Sequence, residues 1–196
     1  VMTFTLLIFF WFVQQSVDKS VQNVIQKNTL QQKDHLELVL EKEYEFLESP
    51  AAYFGTTSDL FSSDNLQLLA ELASSSSFHR LMLFSTDGIG HSSDGKNTDA
   101  SSRDYFQKTL EGRRVLSSPL SSSVDNETLV VLTVPVYDKD QNIIGVFGGS
   151  IDVAKLTTML FEDLYSGSGY SFITDSDGNI ISIESTHNEI RENFFT

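Results

Sequence analysis

The sequence predicts an α+β fold in which a long N-terminal helix precedes an antiparallel sheet. Residues 16–48 contain neither glycine nor proline, and their apolar residues recur every three or four positions, as on one face of a helix. Residues 101–155 hold the densest apolar segments, separated by polar turns, as antiparallel strands require. Two further strand-like segments follow residue 169, so the chain is predicted to begin a second sheet module.

Composition limits the functions that the chain can have. Of its 196 residues, 40% are hydrophobic and 15 are Phe, which is enough for a packed core in one domain or slightly more. Lys and Arg number 13 against 27 Asp and Glu, which gives a formal charge of -14. This balance argues against nucleic acid as a partner, because phosphate binding needs clustered Lys and Arg. Cysteine is absent, so disulfides and thiolate metal sites are excluded, and no cofactor is expected.

The first thirteen residues are uncharged and almost entirely apolar. Thirteen such residues are too few for a complete membrane-spanning helix, which needs roughly 20. The alternatives are a buried core helix and the hydrophobic part of a secretory signal, although the small residues of a signal cleavage site are missing. We interpret residues 1–15 as the end of a transmembrane helix, with the amphipathic ring of Trp11 near the interface.

Residues 16–49 are predicted to form one amphipathic helix of roughly 45 Å. The polar segment 28–35 weakens its apolar stripe. Ser49-Pro50 is predicted to end the helix, because proline disfavours the helical conformation of the residue before it. The helix could connect a membrane segment mechanically to a soluble domain, pack as an ordinary helix, or form the seam of a homodimer, and these interpretations are compatible.

The first sheet module is predicted to span residues 50–155. It opens with a loop-like segment, 51–61, and a second helix that Ser63 or Asp64 is expected to cap. In chain order, its predicted strands are 78–84, 89–93, 115–116, 128–134 and 143–151.

A short helix is predicted between the second and third of these strands. Ser101 or Ser102 is expected to cap it, and Gly112 is expected to end it in a left-handed conformation. Tyr105 and Phe106 lie on its neighbouring faces, and at least one of them is expected in the core.

A linker helix is predicted over residues 156–168, followed by a hairpin that starts the second module, 169–196, which looks truncated. The turns that begin at Asp138 and Asp175 share the spacing Asp-x-Asp-x-Asn, each followed by two isoleucines. We interpret this repeat as the same kind of module begun twice, while chance recurrence of a common turn is the alternative.

Enzyme chemistry finds no support in the motifs. The four histidines are scattered without a zinc-binding spacing, and no nucleophile elbow or phosphate-binding loop is present. The segment from Asp175 begins like a calcium loop, but Ile180 and Thr186 stand where such a loop needs Gly and Glu. The chain itself is therefore predicted not to be an enzyme.

The order of the segments resembles a known family. After the long helix and the first strand, Arg103-Asp104-Tyr105-Phe106 opens a helix, a strand contains Leu-Thr-Val-Pro-Val at 132–136, and another contains Ile-Gly-Val-Phe-Gly-Gly-Ser-Ile-Asp at 144–152. Over nearly its whole length the sequence is similar to the double Cache sensor domains of bacterial chemoreceptors, sensor histidine kinases and membrane-bound diguanylate cyclases. The resemblance implies two PAS-like modules outside the cytoplasm, attached to the cell membrane, with the distal module complete.

The resemblance also implies a ligand site in the distal module. Arg103 and Asp152 match the Arg and Asp of the amino-acid-binding members, while Tyr105 and Phe106 stand where those members have Trp and Tyr. An arginine can donate two hydrogen bonds to a carboxylate, and an aspartate can accept from an ammonium. The alternatives are a surface or capping position for Arg103, a helix cap for Asp152, and core positions for the two aromatics.

These observations predict a small-molecule sensor domain of a bacterial transmembrane receptor, whose ligand contains a carboxylate or an amine. Ligand binding would shift the population of two conformations and pass the change to a cytoplasmic output domain. A diguanylate cyclase is the first expectation for that domain, and a histidine kinase or a chemoreceptor is the alternative. From another class, the alternative is a protein-binding module without a small ligand.

Overall fold

The computed structural model describes residues 2–121, 128–161, 171–174 and 180–184. Its four helices are α1 (Met2–Phe54), α2 (Ser63–Ser74), α3 (Asp104–Leu110) and α4 (Val153–Phe161). Its strands are β1 (Arg80–Ser85), β2 (Ile89–Ser92), β3 (Asn97–Asp99), β4 (Val115–Leu116), β5 (Leu120–Ser121), β6 (Thr128–Tyr137), β7 (Ile143–Asp152), β8 (Ser171–Thr174) and β9 (Ile180–Glu184). The predicted α+β class is confirmed.

The chain divides into two compact units, Val1–Glu41 and Lys42–Thr196, and α1 contributes residues to both. In the first unit, Lys33 and Glu37 form an ion pair one helical turn apart, with 2.8 Å between Nζ and Oε1. None of the helices in the described parts of the chain is long and apolar enough to span a membrane. The interpretation of residues 1–15 as the end of a transmembrane helix stays a prediction.

α1 continues past the predicted end of the helix at Ser49-Pro50 and reaches Phe54. A proline removes one backbone donor, but Pro50, Ala51 and Phe54 are all buried. The Phe54 ring packs edge-on against Phe147 of β7, with 5.2 Å between ring centroids. The prediction of a loop from residue 51 is therefore wrong for the first four residues, because packing on the sheet extends the helix by another turn.

The main sheet has seven antiparallel strands in the order β3-β2-β1-β7-β6-β4, and β5 also pairs with β6. The two ten-residue strands β6 and β7 form its centre, with Val131 opposite Ser150 in their register. All five predicted strands of this module are present, although β1 begins at Arg80 rather than at residue 78. The short strands β3 and β5 were not predicted, because Asn97–Asp99 is polar and Leu120–Ser121 lies in a serine-rich segment.

Side chains alternate between the two faces of the sheet, and each face is covered by helix residues. On one face, Phe54 of α1 packs on Phe147, and Phe78 covers Gly149 while its ring stacks on that of Phe46 at 5.8 Å. The opposite face packs against α3 through a cluster of buried side chains: Met82, Phe84, Ala100, Tyr105, Phe106, Val131 and Val146. β7 thus contributes to both halves of the core.

The helix caps differ from the predicted ones. The Ser62 hydroxyl caps α2 by accepting from the Asn65 N–H at 3.3 Å, just before the predicted Ser63 or Asp64. Arg103 occupies the cap position of α3 without a side-chain bond, so the expectation for Ser101 or Ser102 is wrong. The cause is a backbone turn, in which the Arg103 N–H donates to the Ala100 carbonyl and delays the helix. At the other end, Gly112 has the predicted left-handed conformation, with φ of 85°.

The start of the second module is described only in part. β8 and β9 pair antiparallel, which agrees with the predicted hairpin, while its turn from Asp175 lies outside the described residues. The linker helix α4 begins at Val153, three residues before the predicted start, and its predicted end near residue 168 lies outside the described residues.

We predict that Gly149→Ala lowers the free energy of unfolding by about 1–3 kcal/mol, because the added methyl group would overlap the Phe78 ring. Urea unfolding measures this cost. The control is the same substitution in a Phe78→Leu variant, where the smaller side chain relieves the overlap. There Gly149→Ala should lower the free energy of unfolding clearly less. An equal cost in both backgrounds would contradict the packing described for this face.

Candidate ligand-binding face

α3 covers one face of the sheet through aromatic side chains. Phe106 is 1% exposed, and its ring meets that of Phe84 edge-on at 5.8 Å between centroids. Tyr105 is 8% exposed, and its burial raises the pKa of the phenol, while the positive charge of Arg103 acts in the opposite direction. Both aromatics predicted for the ligand site therefore belong to the buried cluster beneath α3.

A pair of threonine hydroxyls fixes the position of α3 on β6. Thr109 Oγ1 lies 2.6 Å from Thr133 Oγ1, and the Thr109 hydroxyl also contacts the Tyr105 carbonyl oxygen at 2.8 Å. Both threonines are fully buried. This pair could not be predicted from the sequence, because threonine is common in strands and the two residues are 24 positions apart.

Arg103 precedes the first turn of α3 and is exposed. Its guanidinium forms no hydrogen bond or ion pair with any residue that the structure describes. By contrast, Arg80 is held by Asp94, with 3.2 Å between Nη2 and Oδ2. A hydrogen bond from Ser92, with smaller contributions from Lys96 and Arg80, lowers the pKa of Asp94 to about 2. The lowered pKa keeps this carboxyl ionised at neutral pH, where it remains a partner for Arg80.

Asp152 ends β7 and caps α4. Its Oδ1 accepts hydrogen bonds from the backbone N–H groups of Ala154 at 2.6 Å and Lys155 at 3.2 Å. Both bonds fall on the same oxygen, so Oδ2 has no partner among the described residues. The helix cap that the sequence offered as one alternative is therefore present, and one oxygen is left for a ligand.

The structure thus joins two of the four predicted site residues in one cluster. Tyr105 and Phe106 form the buried underside of α3, and Arg103 lies at the start of the same helix. Asp152 lies at the end of the neighbouring strand β7, and no hydrogen bond or ion pair among the described residues connects it to Arg103. Among the described residues, the structure thus places an unpaired guanidinium at the start of α3 and an unpaired carboxylate oxygen at the end of β7, at positions that no described contact brings together.

A comparison with protein families identifies this architecture. The family described as Cache domain matches residues 11–194. This chain belongs to that family. The resemblance inferred from the sequence is confirmed, and the Cache domain is a sensory ligand-binding domain rather than a catalytic one, as predicted for the chain. No curated protein matches the sequence.

Solved structures of chemoreceptor sensor domains share the fold of this Cache domain. The domain of Tlp3 from Campylobacter jejuni with isoleucine bound has a TM-score of 0.65 at 16% identity, covering 83% of this chain and 69% of that one. The domain of CtaA from Pseudomonas fluorescens in complex with L-alanine has a TM-score of 0.65 at 18% identity, covering 81% and 69%. The domain of PctC from Pseudomonas aeruginosa in complex with GABA has a TM-score of 0.62 at 17% identity, covering 76% and 69%.

We predict that Asp152→Ala lowers the free energy of unfolding by about 1 kcal/mol, whereas Asp152→Asn costs only a few tenths, since asparagine also caps helices well. Urea unfolding of the two variants measures the difference. Equal losses in both variants would show that the charge, rather than the cap, carries the contribution of Asp152 to stability.

Proposed function

We propose that this Cache domain is the extracytoplasmic small-molecule sensor of a bacterial transmembrane receptor. The match of the family over residues 11–194 carries this proposal. The similar solved structures are sensor domains of chemoreceptors, which favours a chemoreceptor output over the diguanylate cyclase that the sequence suggested first. A histidine kinase is the remaining alternative for the output domain.

The proposed ligand carries a carboxylate and an amine on a small body. Isoleucine, L-alanine and GABA, which are bound by three of the similar proteins, all have both groups. In this chain the free guanidinium of Arg103 would take the carboxylate, and Oδ2 of Asp152 would take the ammonium. Tyr105 and Phe106, buried beneath α3, would hold the helix that carries Arg103 in place on the sheet.

Ligand binding would act on the helices around β7. A ligand that engages Asp152 would strengthen or shift the cap of α4, and one that engages Arg103 would draw the start of α3 toward the sheet. The signal is then a change in population between two conformations, limited by the difference in ligand affinity for them. About 1.4 kcal/mol of differential binding shifts the ratio tenfold.

The membrane attachment and a homodimer also remain proposals. Leu30 and Leu38 of α1 are large apolar side chains that are 60% and 67% exposed. We propose that two copies of α1 pair through these side chains and that residues 1–15 continue into the membrane.

We predict that Arg103→Ala abolishes binding of the amino-acid ligand while leaving the fold intact, because the exposed guanidinium supports no other described residue. A thermal-shift screen of amino acids, small carboxylates, amines and purines identifies the ligand. At 100 times its dissociation constant, a ligand should stabilise the wild-type domain by about 2.7 kcal/mol.

The matched control is Arg113→Ala, which removes another exposed arginine, one that is already paired with Glu111. This variant should bind as the wild type does. Retained binding in Arg103→Ala would refute the assignment of the site. If no compound in the panel stabilises the well-folded wild-type domain, the result would instead favour the protein-binding module.

A further inference from the structure

A cavity lies at the C-terminal end of α1, and none of the residues of the buried cluster beneath α3 line it. It measures about 550 Å³, within the range of natural small-molecule sites. Its walls come from the last turns of α1, the end of β6 and the connection between α3 and β4. We call it the corner cavity. Ala52 and Pro135 contribute apolar surface to it, and the buried Ala51 and Val134 lie behind them.

The corner cavity depends on a close approach of two backbones. A side chain at Gly55 would overlap the Tyr137 carbonyl group, so the end of α1 can lie directly against the end of β6 only because residue 55 is glycine. Across the cavity, a side chain at Gly112 would meet the Tyr137 hydroxyl at 3.2 Å. Tyr137 is therefore held between two glycine-bearing segments, with its ring as one wall.

The strand edge at this cavity is poorly suited to a peptide partner. β4 pairs with β6 at Leu132 and Thr133 only, which leaves the following residues of β6 without a strand on that side among the described residues. Pro135 lies in this open part and has no N–H to donate to an added strand. A small molecule, rather than an extended peptide, is the occupant that this edge allows.

Two acidic and two basic side chains line the cavity, so their formal charges balance. Glu48 pairs with Arg114 at 3.5 Å, and the Arg114 guanidinium also lies 5.0 Å from the centre of the Tyr44 ring. Asp138 accepts hydrogen bonds from the backbone of Asp140 and from the backbone and side chain of Asn142. Both carboxylates therefore have partners of their own.

Two donors remain at the rim. Hydrogen bonds from Asn142 and, to a smaller extent, the charge of Lys139 lower the pKa of Asp138, so Lys139 acts on this carboxylate although the two form no direct ion pair. The Tyr137 hydroxyl has no hydrogen-bond partner among the described residues. An ammonium and a phenol above an apolar wall match an anionic head on an apolar body. We propose that the corner cavity binds a small organic monocarboxylate, at a site separate from the α3 face.

Isothermal titration of the chain with hexanoate and hydrocinnamate tests this proposal, with hexanol and hexylamine as uncharged and cationic counterparts. The acids should bind saturably with a dissociation constant below about 1 mM, and the counterparts at least about tenfold more weakly. No saturable binding of either acid, or equal binding of acid and amine, would overturn it.

Variants then locate the site. Ala52→Phe should fill the cavity and remove binding, and Lys139→Gln should weaken it about fivefold to tenfold. The matched control Lys108→Gln removes an exposed lysine on α3 that pairs with Asp104, and it should leave binding unchanged. Circular dichroism confirms that each variant is folded.

Arg103→Ala separates this proposal from the proposed function. Monocarboxylate binding that survives Arg103→Ala and is lost in Ala52→Phe supports the corner cavity, whatever the α3 face binds. Monocarboxylate binding that is lost in Arg103→Ala and kept in Ala52→Phe belongs to the α3 face and refutes the corner cavity.

Discussion

β7 is the strand on which the other elements of the module depend. On one face of the sheet, Phe147 of β7 packs against Phe54 of α1. On the other face, Val146 of β7 belongs to the buried cluster beneath α3. Its last residue, Asp152, caps α4. A displacement of this one strand would therefore act on three helices, because close-packed interiors transmit strain rather than absorb it.

This arrangement explains how a sensor can be built with few polar residues. The α3 face is apolar apart from the Thr109–Thr133 pair and its edges, where Arg103 stands at the start of a helix and Asp152 at the end of a strand. Groups at element ends can move by small amounts without breaking a ladder of backbone bonds. Under the proposed function, a ligand bound at these groups would bias two packings while the buried threonine pair keeps α3 in register with β6.

The sequence was sufficient for most of the fold because the informative patterns are local. The apolar runs of β6 and β7, the glycine that ends α3 and the helical periodicity of α1 each depend on neighbours in the chain. The predictions failed where contacts between residues far apart in the sequence determine the local structure. Pro50 lies inside a helix because Phe54 meets Phe147, and Arg103 rather than a serine precedes α3 because of a turn at Ala100.

The candidate sites likewise combine features that the sequence predicts with features that only the structure shows. Tyr105 and Phe106 could be placed near a ligand by resemblance, but their full burial followed only from the structure. The double use of Asp152, with one oxygen on a helix and one free, cannot be read from an aspartate in a sequence. The corner cavity had no sequence signal, since it combines segments near residues 55, 112 and 137.

The most direct test of the account is a crystal structure of the domain with its amino-acid ligand bound. The account predicts the ligand carboxylate within hydrogen-bond distance, about 2.7–2.9 Å, of the Arg103 guanidinium and the ammonium on Oδ2 of Asp152. A ligand bound elsewhere, with Arg103 still directed into solvent, would contradict it.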